Sequence, residues 1–539
     1  MTFAIRCASS TTALLLLAIP ATLTAQDIEL AAQISGRRVP RAYYERLRQQ
    51  PDAFQLRRGW IARVAAAVAA GESVTDTLPL LVIPGLFSDS PDPLLSSDDV
   101  QRTLFVGPSE YGTVSEFYNE VSGGRFGIRG VTLPWARTSI TLDSAVGSEF
   151  GLGSDAGTGA YLMELLVAAD PNVDFGEFDN DGLDGVPNSG DDDGFVDAVA
   201  FEFLEVSATC GGPGIWPHRW VIAGWADSAF QTNDTAPDGS PIRVNDYIIQ
   251  SVVACDGVTI QSATTIAHEL GHVLGLPDLY DRTRGIEPEE RLWVVGCWSL
   301  MAAGSWGCGT PDEDPWVRPT HMGAWEKEQL GWLSEVQVVQ DVLGAELALE
   351  PVIQSGRALK IPLDFGADAD SNEYLLVEYR TKAGFDLDLP SSGILIYHID
   401  PTAAGNQPNQ LNKPWHKVRL AEADGNRGLL RTFAEGGNRG EPGDAWGATG
   451  PGRMTNSTEP STRLNSGSPT GVTFHNLSLE GDVARISLST VTLSLERLLE
   501  QFLGFAVPPL STDEEEYLDT WGNDNGRYDV GDLRAYLKR

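Results

Sequence analysis

Basic residues are scarce in this chain. Lys and Arg total 38 against 75 Asp and Glu over 539 residues, a formal net charge of −37. Phosphate backbones are bound by basic faces, so nucleic acid is excluded as a natural partner. Long apolar runs are missing too, apart from one short stretch near the start, so no segment reads as a membrane span. Histidine is rare, with 7 in the whole chain, and there are 5 cysteines and 5 methionines. What these few residues do is therefore informative. Gly and Pro are plentiful but dispersed, and the apolar fraction of 42% permits full-sized cores. The length favours two or three domains.

The first 25 residues read as a secretory signal peptide: Arg6 gives the positive end, Leu14 to Ile19 the apolar core, and Ala25 the cleavage residue. The expectation is a secreted, extracellular protein without a transmembrane segment. Cys7 leaves with the signal, and Cys210, Cys255, Cys297 and Cys308 remain. An even number in an exported chain points to disulfides. Three pairings are open; the preferred one is Cys210–Cys255 with Cys297–Cys308, the second closing a tight loop. Residues 26–76 carry Arg37, Arg38, Arg41, Arg46, Arg48, Arg57, Arg58 and Arg63. They read as a pro-segment lying on the acidic body, or as an N-terminal helical arm.

From Leu78 the pattern alternates between strand and helix. LPLLVI (Leu78 to Ile83) is a buried-strand pattern; Thr113 to Val121 is a helix with a capping box at Thr113 and Glu116, stopped by Gly123. Phe126 to Leu133, Ala198 to Leu204 and Tyr247 to Val253 are further strands. This argues for an α/β domain over 77–333. Short β-rich runs follow over 334–490, among them Tyr374 to Tyr379, Gly393 to His398 and Ala484 to Leu488, and read as an all-β sandwich domain. Glu435 to Ser468 reads as a long loop. Residues 491–539 read as a short helix, a Val507-Pro508-Pro509 linker and a small acidic helical module.

The chemistry centres on TTIAHELGHVLGLPDLYD, Thr264 to Asp281. Residues four apart share one helix face, so His268 and His272 can meet one ion. Thr264 or Thr265 can cap the helix, and Gly275 can end it so that a later residue turns back. Asp278 is the best-placed third ligand, and Asp281 is a rival. Two imidazoles and a carboxylate suit zinc with a position left open for water, and Glu269 is placed as general base. With 7 histidines, an accidental pairing of this kind is expected in roughly one such sequence in a hundred. His218 and His398, flanked by aromatics, read as packing residues, His321 as structural, and His416 and His475 carry no signal.

The H-E-x-x-H-x-x-G-x-x-D string resembles that of the metzincin peptidases. WSLMAAGSWG, Trp298 to Gly307, resembles their methionine turn, with Met301 as a soft apolar support. A closer resemblance is to the immune inhibitor A-type secreted zinc peptidases. It is carried by SEFYNEVSGGRFGIRG (Ser115 to Gly130), IWPHRW (Ile215 to Trp220), the HELGH stretch, THMGAWEKEQLGWL (Thr320 to Leu333), NEYLLVEYR (Asn372 to Arg380) and GFDLDLPSSGILIYHID (Gly384 to Asp400). The resemblance implies a zinc endopeptidase acting on extracellular proteins or peptides, made with a signal and a pro-segment, its catalytic domain followed by a β-rich domain. His268, Glu269, His272 and Asp278 match its motif. The pro-segment has no cysteine, so latency cannot rest on a cysteine switch. Two other readings stand beside this one: an adhesin-like binding protein with a retired site, which an intact Glu269 disfavours, and a zinc amidase acting on cell-wall peptides.

Carboxylates cluster twice. In DFGEFDNDGLDGVPNSGDDDGFVD, Asp179, Asp181, Asp184, Asp191, Asp193 and Asp197 alternate with Gly and Asn, a spacing that suits structural calcium. In the tail, Asn523, Asn525, Asp529 and Asp532 fall at the offsets of an EF-hand or dockerin loop around Gly526, although Trp521 occupies the first ligand position and cannot bind. The alternative for the tail is a helical hairpin used for a cell-surface or sorting partner.

Overall fold

The computed structural model describes residues 42, 45 and 59–538, apart from 227, 282, 284–290, 309–317, 364–371, 404, 407–414, 449–451 and 506–507. The signal peptide, the arginines before Gly59 and Val507 of the expected linker lie outside the described residues.

The first region is built on a mixed sheet. Strand β1 (Asp76–Leu86) pairs in parallel with β2 (Phe126–Thr132), β3 (Ala136–Arg137) and β4 (Val199–Phe203). β4 pairs in parallel with a strand at Asp246–Ser251, whose other edge takes His218–Val221 antiparallel. β1 is apolar and buried on both faces, as a central parallel strand must be. Its alternate residues feed two cores. Leu78, Leu80 and Val82 face the helices at Val114–Val121 and Thr264–Val273, and Leu81 and Ile83 face the helix at Thr158–Ala169. The Thr113–Glu116 capping box forms as its spacing predicts.

A helix at Trp60–Ala69, inside the arginine-rich arm, belongs to the same core. Trp60 is 1% exposed and meets Phe126 edge-on at 5.5 Å. The chain that follows is tied to the far end of the domain: the Val74 amide donates to the Leu330 carbonyl, and the Trp332 indole donates to the Val74 carbonyl at 3.0 Å.

The second region contains a five-stranded sheet that includes Arg357–Pro362, Tyr374–Arg380 and Gly393–Ile399, and a four-stranded antiparallel sheet that includes Val342–Leu349, Val472–Glu480 and Val483–Thr490. Leu375, Val377, Ile394 and Ile396 of one share a buried cluster with Phe474, Leu477, Ile486 and Leu488 of the other. The expected loop from Glu435 to Ser468 contains a short strand, Gly452–Met454. Gly452 lies against Trp446, where a Cβ would sit 2.4 Å from the indole, so the strand needs a residue that composition alone reads as loop.

Tyr374, Leu376, Leu395 and Tyr397 of the second region also join the core of the first, beside Trp298 and Trp325. Polar contacts reinforce this seam. Fully buried Arg380 donates to both carboxylate oxygens of Asp386, to Glu378 and to the Trp298 carbonyl. Helices at Leu495–Phe502, Thr512–Trp521 and Val530–Tyr536 gather around Leu498, Tyr517, Leu518 and Tyr536. Among the described residues, no helix is long and apolar enough to cross a membrane.

Candidate metal centre

The helix that carries the two histidines spans Thr264–Val273. Neither threonine caps it: Ala263 holds the N-cap position, and no side chain caps the helix there. Tertiary packing fixes the helix instead. Ile266, Leu270 and Val273 are buried, and the Tyr118 hydroxyl donates to the Ala267 carbonyl at 2.7 Å. Leu274 is the C-cap and Gly275 follows with φ 92°, a left-handed conformation that a side chain disfavours. That turn sends the chain back towards the helix face.

Asp278 therefore reaches both histidines. Its Oδ1 lies 3.2 Å from His268 Nε2 and 3.6 Å from His272 Nε2. Tetrahedral zinc with bonds of about 2.0–2.2 Å has ligand–ligand edges of roughly 3.3–3.6 Å, so the spacing fits the ion. The opposite ring nitrogens are held by the backbone. His268 Nδ1 sits 3.1 Å from the Leu300 carbonyl and His272 Nδ1 2.7 Å from the Leu276 carbonyl. A carbonyl can only accept, so each Nδ1 carries the proton and each Nε2 presents its lone pair to the centre. Asp281 does not compete: it accepts from the backbone and hydroxyl of Thr283 and pairs with His416 at 2.9 Å.

The protonation balance is that of an ion site. Burial opposes charge on His268, but the Asp278 carboxylate and the Glu269 charge lift it to about 8. Burial dominates at His272 and takes it down to about 4. Without an ion His268 therefore holds a second proton on Nε2, between itself and Asp278, and a divalent cation displaces that proton to take up the lone pair.

Met301 lies beneath the helix. A Cβ on Gly271 would fall 2.5 Å from its sulfur, so glycine lets the thioether approach the helix backbone. The Leu279 amide donates to the Met301 carbonyl at 2.8 Å, tying the turn to the residue after Asp278. Behind it, Glu326 accepts from the Ser299 hydroxyl at 2.7 Å and from the Gly323 amide at 2.6 Å. Sequence reasoning missed Glu326, the two carbonyls and Arg219, whose buried guanidinium pairs with Asp246 at 2.9 Å and feels the Glu269 charge. A carbonyl has no sequence signal, and an isolated arginine has little.

His268 and Glu269 open onto a cavity of 480 Å³, lined also by Trp216, Thr264, Tyr280 and Trp306. The Cys210–Cys255 disulfide borders it, and Cys297–Cys308 brackets the methionine turn, closing the short loop that contains it. Both bridges are those preferred from the sequence.

Residues 96–333 match the family described as immune inhibitor A peptidase M6, catalytic domain. That stretch is similar to the catalytic domain of M6-type peptidases. A pre-pro-metalloprotease PrtV of Vibrio cholerae serotype O1 is 27% identical over 277 residues, which cover 47% of this chain and 28% of that protein. An immune inhibitor A of Bacillus thuringiensis subsp. alesti is 29% identical over 218 residues, 37% of this chain and 29% of the relative. The chain thus aligns with less than a third of the length of these curated relatives. The matched stretch begins inside the first region and ends where the second begins, so it covers the histidine helix, the methionine turn and the Trp332 end of the shared core.

Of the six aspartates in the first acidic stretch, the structure brings together Asp179, Asp181 and Asp197, with ligand oxygens within 4.8 Å of one another. Burial, then the neighbouring carboxylates, push Asp179 up to about 8; burial and Asp193 push Asp181 to about 6. Asp179 Oδ1 is buried and has no hydrogen-bond partner among the described residues. Asp184 and Asp191 serve the loop backbone, accepting from Val186 and from Leu183 and Asp184 respectively, and Asp193 accepts from the Phe195 amide. Asp192, absent from the sequence reading, accepts from the Gly182 amide. In the tail, Asp532 accepts from the Asp529 and Asn523 amides, Asp529 from Gly531, and Asn525 from Arg527. Asp519, which the spacing did not single out, takes the Asn525 and Gly526 amides. His218 bonds Trp216 and Tyr247, and His398 bonds Glu373, consistent with packing roles.

Proposed function

We propose that this protein is a secreted zinc endopeptidase that hydrolyses peptide bonds in extracellular proteins. The observation that carries the reading is the convergence of His268, His272 and Asp278 on one point, each imidazole oriented by a backbone carbonyl, at the mouth of a cavity shared with Glu269. Zinc bound there supplies Lewis acidity, polarising the scissile carbonyl and acidifying a water. The chain supplies the rest. Glu269 accepts the proton of the attacking water at its carboxylate and delivers it to the leaving amine. Trp216, Tyr280 and Trp306 offer aromatic walls for substrate side chains, and the buried helix keeps the three ligands in place.

A structural calcium belongs to the same reading. Asp179, Asp181 and Asp197 are its ligands, and the buried, unpartnered Asp179 oxygen supports it. The two packed sheets after residue 334 are read as a sandwich, and the removable part of segment 26–76 as ending before Gly59, since Trp60 lies in the core. The retired-site alternative has no support in an intact glutamate facing the cavity.

The test is casein cleavage by the purified protein with and without a zinc chelator, beside Glu269→Ala. The expected result is proteolysis abolished by the chelator and reduced by roughly 10²–10⁴ in the variant, the range for loss of a positioned acid–base group. Wild-type activity in Glu269→Ala would overturn the mechanism.

A further inference from the structure

A further acidic cluster lies outside the two carboxylate-rich stretches that the sequence brings forward. Glu422, Asp424 and Asp444 offer carboxylate oxygens within 4.8 Å of one another. Glu422 is 3% exposed and Asp444 is fully buried. Their partners account for only part of their capacity. Asp444 Oδ2 accepts from the Trp298 indole at 3.0 Å and from the Glu441 amide at 2.9 Å, whereas Oδ1 is buried and has no hydrogen-bond partner among the described residues. Glu422 Oε2 accepts from the Leu429 amide at 3.1 Å, and Asp424 takes Asn426 through its backbone and side chain. A Cβ at Gly443 would lie 2.3 Å from Asp424 Oδ2, so glycine lets the backbone close over that carboxylate.

A buried acceptor left without a donor, among like charges, costs free energy unless a cation completes it. Burial, then the adjacent carboxylates, raise Glu422 and Asp444 to about 7 each. The donors are all hard oxygens from two loops, which matches calcium and not a soft thiolate- or imidazole-binding metal.

We propose that Glu422, Asp424 and Asp444 bind a calcium ion that staples the loops of the second region beneath the methionine-turn segment. The contacts give the ion its consequence. The loop it would close donates no side chain to the catalytic cavity, yet it holds the chain that leads to Met301: Val294 donates to the Leu429 carbonyl at 2.9 Å, Cys297 to the Arg439 carbonyl at 2.7 Å, and Trp298 to Asp444 itself. The site is thus a second calcium position, separate from the Asp179 cluster and independent of the zinc reading.

The test is bound calcium, measured by equilibrium dialysis of the full-length protein with zinc kept constant, for wild type, Glu422→Gln/Asp444→Asn, Asp424→Asn and Asp179→Asn. The expected result is one calcium fewer per chain in the double variant. Asp424→Asn, on the exposed member of the cluster, weakens one site by about tenfold, since affinity follows ligand charge. Both effects should appear without change at the site that Asp179→Asn alters. If the double variant does not fold, Asp424→Asn decides alone. Wild-type calcium content and affinity in every folded variant of this cluster would overturn the proposal.

Discussion

The histidine site and the C-terminal tail present similar promises in sequence and different outcomes in space. Both place polar residues at ligand-like spacing around a glycine turn. At the histidine site the non-ligating atoms are occupied: Nδ1 of each ring is held by a carbonyl, and the atoms left over converge. In the tail it is the carboxylates that are occupied. Asp529, Asp532 and Asp519 receive backbone amides and serve as helix caps and loop ties. A ligand is therefore recognised by which of its atoms remain after the fold has used the others, and spacing reports only the first half of that question.

Breaking the convergent site has the largest expected effect. Asp278→Ala should remove zinc, read by metal analysis, and lower caseinolysis by more than the roughly 10–100-fold typical of losing an outer-shell partner. Zinc retained at full stoichiometry would show that another donor completes the trio. The tail is the counterpart. Asp532→Asn should cost about 0.5–2 kcal/mol of stability, as loss of a capping interaction does, measured by chemical denaturation. Bound calcium and proteolysis should not change, and a lost calcium ion would erase the contrast between the two regions.

The smallest effect sharpens a third case, a buried carboxylate that ties the Ser299 hydroxyl to the Gly323 amide at the start of a helix. Burial raises Glu326 from 4.5 to about 7 in the folded protein. Its stabilising contribution is therefore fully present below pH 4.5 and lost as the pH rises through 7. Glu326→Gln should melt with wild type at low pH and above it at alkaline pH, by on the order of 2 °C in a thermal scan. A variant that melts lower at alkaline pH would show that the ionised carboxylate stabilises the turn.

The sequence made some features legible for physical reasons. β1 is apolar on both faces, so a plain hydrophobic run announced a central strand. The histidine pair stood out because the residue is rare and helical geometry is fixed. Gly275 announced a turn that only a left-handed residue makes easily. Other features had no local signal. The helix start at Ala263 is set by packing and not by a cap. The Glu422, Asp424 and Asp444 oxygens meet only because two loops fold back over Trp298, a contact spanning 146 positions in the chain. The choice of Asp179, Asp181 and Asp197 from six spaced aspartates depends on which of them the loop backbone uses.

The guanidinium of Arg380 hands this architecture a mechanical property. It originates in one sheet region and satisfies the carbonyl of Trp298 in the other, inside a nest of aromatic rings with no solvent to replace it. Pulling the two halves apart would leave the Trp298 carbonyl without its buried donor and open an apolar core that both halves share, so heat should melt them in one concerted step and leave no surviving fragment.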